Sequence, residues 1–362
     1  MWQIRLSSCS GGSRMSDLKG FTGKREITVA EAMNQIDKNA CGILFITDDD
    51  GKLVGCITDG DIRRYLLGGG QMTGNVMDAA NKSPRVAHTM EEARVLYHKK
   101  NFVVIPVLDE NGVVVDLYKG DSSNFKKPHN PIGIPVVINA GGKGTRLDPF
   151  TRVLPKPLIP VGELPIIEHI MQEYQTYDCN KFHIIVNYKK DLIKAFFADA
   201  GGNYDISWYD ETVPLGTGGG LSLLKGAINE TFFFSNCDIL LKANYESIYK
   251  FHKENGNAVT MVCAHKNLSI PYGVVEMGEN GILQSMKEKP LMSFLTNTGV
   301  YVVEPDVLDD IEDGVPAGFP DIIEKARSKG KRIAVFPVSE NDWMDMGQIS
   351  ELEKMRIRLD GE

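Results

Sequence analysis

Long apolar runs, paired cysteines and a surplus of positive charge are all missing from this 362-residue sequence. Its longest apolar stretches, such as Gly42 to Thr47 and Pro135 to Ile138, fall far short of the roughly 20 residues of a helical membrane span, so no membrane partner is expected. The six cysteines stand apart at Cys9, Cys41, Cys56, Cys179, Cys237 and Cys263. None forms a CxxC pair or lies at zinc-ligand spacing from a histidine, which argues against a zinc site or a disulfide scaffold. Scattered thiols fit a reducing compartment, and a cytoplasmic location is the expectation. Lys and Arg number 40 against 48 Asp and Glu, a net charge of -8, so nucleic acid is not an expected partner. The first 14 residues are Ser/Gly-rich and lack the apolar segment of a secretory signal. Residues 1–19 are read as a disordered or cloning-derived tail. Apolar residues at 42% and charged residues at 24% are ordinary globular usage, and the length allows two or three domains.

Residues 20–125 contain an internal repeat. Thr28-Val29-Ala30-Glu31-Ala32 returns as Thr89-Met90-Glu91-Glu92-Ala93, and Ile43 to Gly51 returns as Val104 to Gly112, each 61 residues on. Each copy reads as a Thr-capped helix, a β-branched strand, an Asp-Gly or Asn-Gly turn and a second strand. Asp59 to Leu67 reads as a helix stopped by Gly68-Gly69-Gly70. Residues 126–134, with Lys126, Lys127, Pro128, Pro131 and Gly133, have the composition of a linker.

From 135 to 362, short apolar strands alternate with amphipathic helices: Pro135 to Asn139, Ile166 to Tyr174, His183 to Asn187, Asp191 to Phe197, Thr231 to Asn236, Tyr245 to His252 and Ala258 to Ala264. Later come a helix at Phe319 to Lys329, a strand at Arg332 to Pro337 and a helix at Ile349 to Leu359. Strands that are apolar throughout, rather than alternating, predict a parallel or mixed sheet covered on both faces. The first strand runs into Asn139-Ala140-Gly141-Gly142-Lys143-Gly144-Thr145-Arg146-Leu147. A buried strand emptying into glycines can bring backbone N–H groups against a phosphate. It is not a Walker A loop, because Gly144 follows Lys143 where Ser or Thr belongs. It is not a dinucleotide fingerprint either, because Leu147 stands where the third glycine belongs. Lys143, Arg146, Arg152 and Lys156 fall within 14 residues against one acid, Asp148, a basic excess in an acidic chain.

Gly141 to Leu147 with Pro149 and Thr151, followed by Pro155-Lys156-Pro157, resembles the signature of the sugar-1-phosphate nucleotidyltransferases. Further similar segments follow in that family's order. They are Leu215-Gly216-Thr217-Gly218-Gly219, Ser235-Asn236-Cys237-Asp238, Pro271-Tyr272-Gly273-Val274-Val275, Glu288-Lys289-Pro290, Asn297-Thr298-Gly299-Val300-Tyr301 and Trp343-Met344-Asp345-Met346-Gly347. The resemblance implies a Rossmann-like three-layer α/β domain with a mixed, mostly parallel sheet. It implies transfer of a nucleotidyl group from an NTP, with GTP the first choice, to a sugar 1-phosphate, releasing pyrophosphate. Arg146, Lys156, Lys289 and Asp238 would be catalytic. Ala140, Gly141, Gly142, Lys143, Gly144, Thr145 and Gly216 would bind the nucleotide, with Asn187 and Tyr188 as further candidates. Gly273, Glu288, Lys289, Asn297 and Thr298 would hold the sugar phosphate. Asp238 and Asp345 would coordinate Mg²⁺. An aminosugar acceptor for surface-glycan or nonulosonic-acid synthesis is the expected pathway. No hexapeptide repeat follows Trp343, so a β-helical acyltransferase tail is not expected.

The N-terminal repeat, through Gly55-Cys56-Ile57-Thr58-Asp59-Gly60-Asp61-Ile62-Arg63-Arg64, resembles a tandem α+β pair of cystathionine-β-synthase-type (CBS) motifs. The resemblance implies either that Thr58 and Asp61 hold an adenine nucleotide or that the CBS pair serves assembly alone; Lys119 and Ser122 replace Thr58 and Asp61 in the second copy. It also implies a homo-oligomer. One rival is a non-catalytic, nucleotide-sensing regulatory subunit of the same fold, against which Arg146, Lys156, Asp238, Lys289 and Asp345 together argue. Another is a cytidylyltransferase acting on a non-sugar alcohol phosphate, in which Glu288-Lys289-Pro290 and Asn297-Thr298-Gly299 are not expected.

Overall fold

The computed structural model describes residues 15–39, 41–100, 104–119, 130–199 and 204–360. Residues 1–14, the linker residues 126–129 and Ser122 lie outside them. The chain divides into two bodies: the described residues up to Lys127 with Asn267–Ser293, and Pro128–Lys266 with Phe294–Glu362. Among the described residues no helix is long and apolar enough to cross a membrane.

In the first body the two repeats fold alike. Thr28 donates its N–H and Oγ1–H to Glu31 Oε2 (2.7 and 2.9 Å) and accepts from the Glu31 N–H at 3.2 Å. That reciprocal box opens the helix Val29–Asn39. In the second copy the Glu92 N–H reaches Thr89 Oγ1 at 3.1 Å, ahead of the helix Met90–Lys100. Each helix leads to an antiparallel hairpin, Ile43–Thr47 with Leu53–Thr58, then Val104–Leu108 with Val114–Lys119. The ladder slips at Ile46/Thr47 in one hairpin and at Val107/Leu108 in the other. Gly51 and Gly112 supply the left-handed turn residue at φ 82° and 81°. The two turns meet, with the Leu53 N–H donating to Gly112 O at 3.0 Å and the Val114 N–H to Gly51 O at 3.4 Å. Phe45 and Cys56 of one copy share a core with Val104, Leu108, Val114 and Leu117 of the other. Phe21 joins that core from the helix Met15–Phe21, which begins inside the stretch expected as a tail because Leu18 and Phe21 have an apolar surface to cover. Asn267–Ser293 contains the hairpin Val274–Met277 with Leu283–Lys287.

The second body is built on a seven-stranded sheet in the order Asp205–Asp210, Lys181–Val186, Val136–Asn139, Phe232–Asn236, Leu291–Val303, Val259–Ser269, Ile333–Val338. The first four are mutually parallel, Leu291–Val303 runs antiparallel to Phe232–Asn236, and Ile333–Val338 runs parallel to Val259–Ser269. On one face the helices Ile166–Gln175 and Tyr245–Glu254 lay Tyr174 and Tyr245 against Phe233, with ring centroids 4.7–5.3 Å apart. On the other, Phe319 of the helix Phe319–Ser328 packs on Phe234 and Tyr301 at 4.7 and 4.4 Å. Two apolar layers with a sheet between them are the expected three-layer form. Asp205–Asp210 was not anticipated. It is an edge strand, only Ile206, Trp208 and Tyr209 are partly buried, and it lacks the continuous apolar run that marks its neighbours. Outside the main sheet, Ile239–Leu241 pairs antiparallel with Trp343–Asp345.

Candidate active site

The strand Val136–Asn139 ends at a loop whose path demands glycine at two points. A Cβ on Gly141 would lie 2.7 Å from Glu211 Oε2, and one on Gly144, at φ 64°, would lie 2.9 Å from Thr151 Cγ2 and 3.1 Å from Lys156 Cβ. Gly142 faces open space. Ala140 is buried, and its N–H donates to Ile185 O at 2.8 Å, which ties the loop to the neighbouring strand. Asn139 Nδ2 donates to the carbonyls of Gly216 and Thr217, 3.2 Å each, so the second glycine loop is held beside the first. Gly216, at φ 80°, has Ala317 O where a Cβ would stand. Asn187 Nδ2 donates to Glu211 O at 3.1 Å and the Tyr188 hydroxyl to Thr151 O at 3.2 Å, so both support the loop from behind.

Lys143, Thr145 and Arg146 are exposed at the loop's mouth. Arg152, the fourth charge expected there, is paired through two contacts with Asp148, at 2.7 and 3.0 Å. Lys156 lies deeper, its ammonium on Asp238 Oδ2, and the two side chains are only 12% and 13% exposed. Asp238 follows the strand Phe232–Asn236. The outer ribbon sets Ile239 opposite Asp345, and the Met346 N–H donates to Asp238 O at 2.9 Å. The two carboxylates are thereby neighbours. Burial pushes the Asp345 carboxyl above its ordinary value, and the charge of Asp238 adds to that. The Gly347 N–H, 2.7 Å from Asp345 Oδ1, and the cations Lys156 and Arg146 oppose it. Two adjacent hard-oxygen ligands fit a Mg²⁺ that completes its shell with water and phosphate. No cluster of three or more acidic, His or Cys side chains able to hold a metal occurs among the described residues, so a closed structural metal site is not what they form. A cavity of about 440 Å³ opens beside Asp345, walled in part by Lys266, Trp343, Lys354 and Arg358.

This arrangement can be set against known proteins. A family model described as "Nucleotidyl transferase" matches residues 135–359. The chain belongs to the nucleotidyl transferase family. A second model, the CBS domain, matches residues 23–68, the first of the two repeats. A probable mannose-1-phosphate guanylyltransferase 2 of Oryza sativa subsp. japonica is 31% identical over 234 residues, 62% of this chain and 64% of that protein. The catalytic subunit beta of mannose-1-phosphate guanylyltransferase from Drosophila melanogaster is 31% identical over 227 residues, 60% of each chain. The chain thus spans less than two thirds of the length of these curated relatives. The crystal structure of HddC from Yersinia pseudotuberculosis superposes with a TM-score of 0.50 at 20% identity, over 62% of this chain and 99% of that one, a likeness of fold.

One group in this chain was not foreseen. Glu211 is 5% exposed and lies behind the loop, its two oxygens where Cβ atoms of Gly141 and Gly220 would be. Its Oε1 has no hydrogen-bond partner. Burial pushes its carboxyl up to about 7, against the Leu215 N–H, which favours the ion. Glu211 follows the strand Asp205–Asp210 directly, and with that strand unread its place in the sheet could not be found.

The remaining candidates divide. Asn297 donates from Nδ2 to the Tyr301 hydroxyl at 2.7 Å and accepts from the Gly299 N–H at 3.1 Å. Thr298 is 1% exposed, its hydroxyl donating to Val262 O and accepting from the Val300 N–H, so its side chain holds the strand together. Gly273, Glu288 and Lys289 stand on Asn267–Ser293, in the other body. There a Cβ on Gly273 would come within 3.0 Å of Glu288 Oε2, and Lys289 adopts a left-handed φ of 44° that non-glycine residues rarely take. In the CBS repeat, Thr58 and Asp61 bond each other. The Thr58 N–H and hydroxyl reach Asp61 Oδ2 at 3.0 and 2.6 Å, and the Asp61 N–H returns to Thr58 Oγ1 at 3.2 Å. They cap the helix Asp59–Leu67. Lys119, in the place of Thr58 in the second copy, lies over the Phe21 ring at 4.1 Å.

Proposed function

We propose that this chain transfers a guanylyl group from GTP to a sugar 1-phosphate, releasing pyrophosphate. The observation that carries the reading is the gathering of Arg146, Lys156, Asp238 and Asp345 at the mouth of the glycine loop. Two anions must meet, and negative charge builds on the leaving pyrophosphate. Positioning and electrostatics are therefore the main demands, and the sugar phosphate needs no separate base to become a nucleophile. The Gly141–Gly144 amides would receive the triphosphate, Arg146 its β/γ end and Lys156 the α-phosphate. A phosphate oxygen of the sugar then attacks the α-phosphorus as the bond to the β-phosphate breaks. A divalent ion on Asp238 and Asp345, Mg²⁺ from the hardness of its donors, would supply positive charge to both phosphates. The curated relatives described above are guanylyltransferases, which supports guanine as the base. We further propose residues 135–362 as the transferase domain, residues 20–125 as a tandem CBS pair taking an adenine nucleotide, assembly as a homo-oligomer and a cytoplasmic location.

A pyrophosphate-release assay over the four common NTPs, with mannose, glucose and aminosugar 1-phosphates, tests the function. Turnover highest with GTP is expected. No turnover with any pair, together with nucleotide-dependent binding to another protein, would replace catalysis with the regulatory-subunit reading.

A further inference from the structure

We infer that Lys156 is a displaceable occupant of the carboxylate pair, so that a divalent ion and a nucleotide enter this site together rather than singly. The inference rests on the function proposed above and adds a rule for how that site fills.

The Lys156 ammonium lies on Asp238 Oδ2, the oxygen donor of a carboxylate otherwise placed to hold an ion beside Asp345. Both members of the pair are about seven-eighths buried, so salt and solvent screen them weakly. A divalent ion arriving alone would meet the charge of the ammonium and of Arg146, both close enough to act on Asp345. It would also strip Lys156 of its partner in a setting where an unpaired charge is costly. A nucleotide arriving alone would set its phosphates against two neighbouring carboxylates. When both arrive, each removes the other's obstacle: the phosphate takes over the ammonium, and Asp238 is freed for the ion. The Lys156 side chain is built for that exchange. A Cβ on Gly144 would lie 3.1 Å from Lys156 Cβ and 3.4 Å from its Cδ, so the stem runs under the glycine loop while the charged end alone needs to swing. Coupling of this kind is reciprocal, ion on nucleotide and nucleotide on ion.

Mn²⁺ serves as the probe, its free concentration read by electron paramagnetic resonance on the full chain without nucleotide. Close charge pairs couple strongly enough that Lys156→Gln should bind Mn²⁺ at least about tenfold more tightly than the unaltered protein. Lys156→Arg should bind as weakly as the unaltered protein, and adding Asp238→Asn should abolish the gain. A second measurement needs no variant: saturating GMP, which offers one phosphate to Lys156, should raise Mn²⁺ affinity of the unaltered chain beyond what free GMP binds. Equal Mn²⁺ affinity in the unaltered and Lys156→Gln proteins, still dependent on Asp238, overturns the inference and leaves the carboxylate site standing. Mn²⁺ binding insensitive to Asp238→Asn in both overturns the inference and the proposed function with it.

Discussion

Among the buried side chains with unpartnered polar atoms, Glu211 and His265 bend the stability of the protein in opposite directions with pH. Glu211 holds its proton up to about 7 when folded against an ordinary 4.5, so its contribution is present below about pH 4.5 and fades as pH rises through 7. His265, fully buried with both ring nitrogens unpartnered, is pushed by burial down to about 4 from an ordinary 6.5. Its contribution is present above about pH 6.5 and is lost as pH falls through 4. Urea unfolding from pH 4 to 8 should therefore show a steeper rise toward neutrality in Glu211→Gln, and a steeper loss toward neutrality in His265→Phe. Parallel profiles would remove this assignment. At the carboxylates, Asp238→Asn and Asp345→Asn should each lower turnover by about 10²–10³ fold, the usual effect of deleting one charge-stabilising group; the melting temperature should fall in Asp238→Asn, which leaves Lys156 without its charged partner, and change little in Asp345→Asn. In the loop, Gly144→Ala should cost about 1–2 kcal/mol because an L side chain resists the left-handed φ there, while Gly142→Ala, facing open space, should leave the melting temperature almost unmoved.

At the scale of elements, the cap on the helix Asp59–Leu67 uses the same two side chains proposed to hold an adenine nucleotide. Asp61 closes a reciprocal box with Thr58, so any ribose or phosphate taking those oxygens must compete with the helix start. Asp61→Ala should therefore do two things: weaken AMP or ATP binding in calorimetry, and lower stability by about 0.5–2 kcal/mol. Asp61→Asn, which keeps capping ability, should lose ligand affinity with a smaller stability change; equal stability losses would mean that the charge, not the cap, matters. The repeat containing this helix was legible because its determinants are local. Thr and Glu three residues apart open a helix wherever they occur before an apolar pattern, and a glycine in the left-handed turn position fixes each hairpin. The edge strand Asp205–Asp210 was not legible for the complementary reason: one partner strand and partial cover leave no continuous apolar run to read.

At the scale of the molecule, the apolar clusters of the two bodies share no residue: Val29 to Val76 and Phe21 to Leu117 lie in one body, Ile134 to Met355 and Val137 to Ile323 in the other. Two separate cores should give two calorimetric transitions. GTP with Mg²⁺ should raise one, and an adenine nucleotide the other. A single transition moved by both ligands would mean that the bodies unfold as one.

The sequence by itself determined the glycine loop, the internal repeat and the three-layer fold class, because glycine requirements, helix caps and apolar runs act between residues a few positions apart. Tertiary structure alone decided that Lys156 rests on a carboxylate 82 residues away, that Asp345 faces Ile239 across a ribbon, and that Glu211 lies buried behind the loop with its Oε1 unpartnered. Those relations are distances across a sheet, and a distance across a sheet depends on strand order and register, which no short stretch of chain encodes.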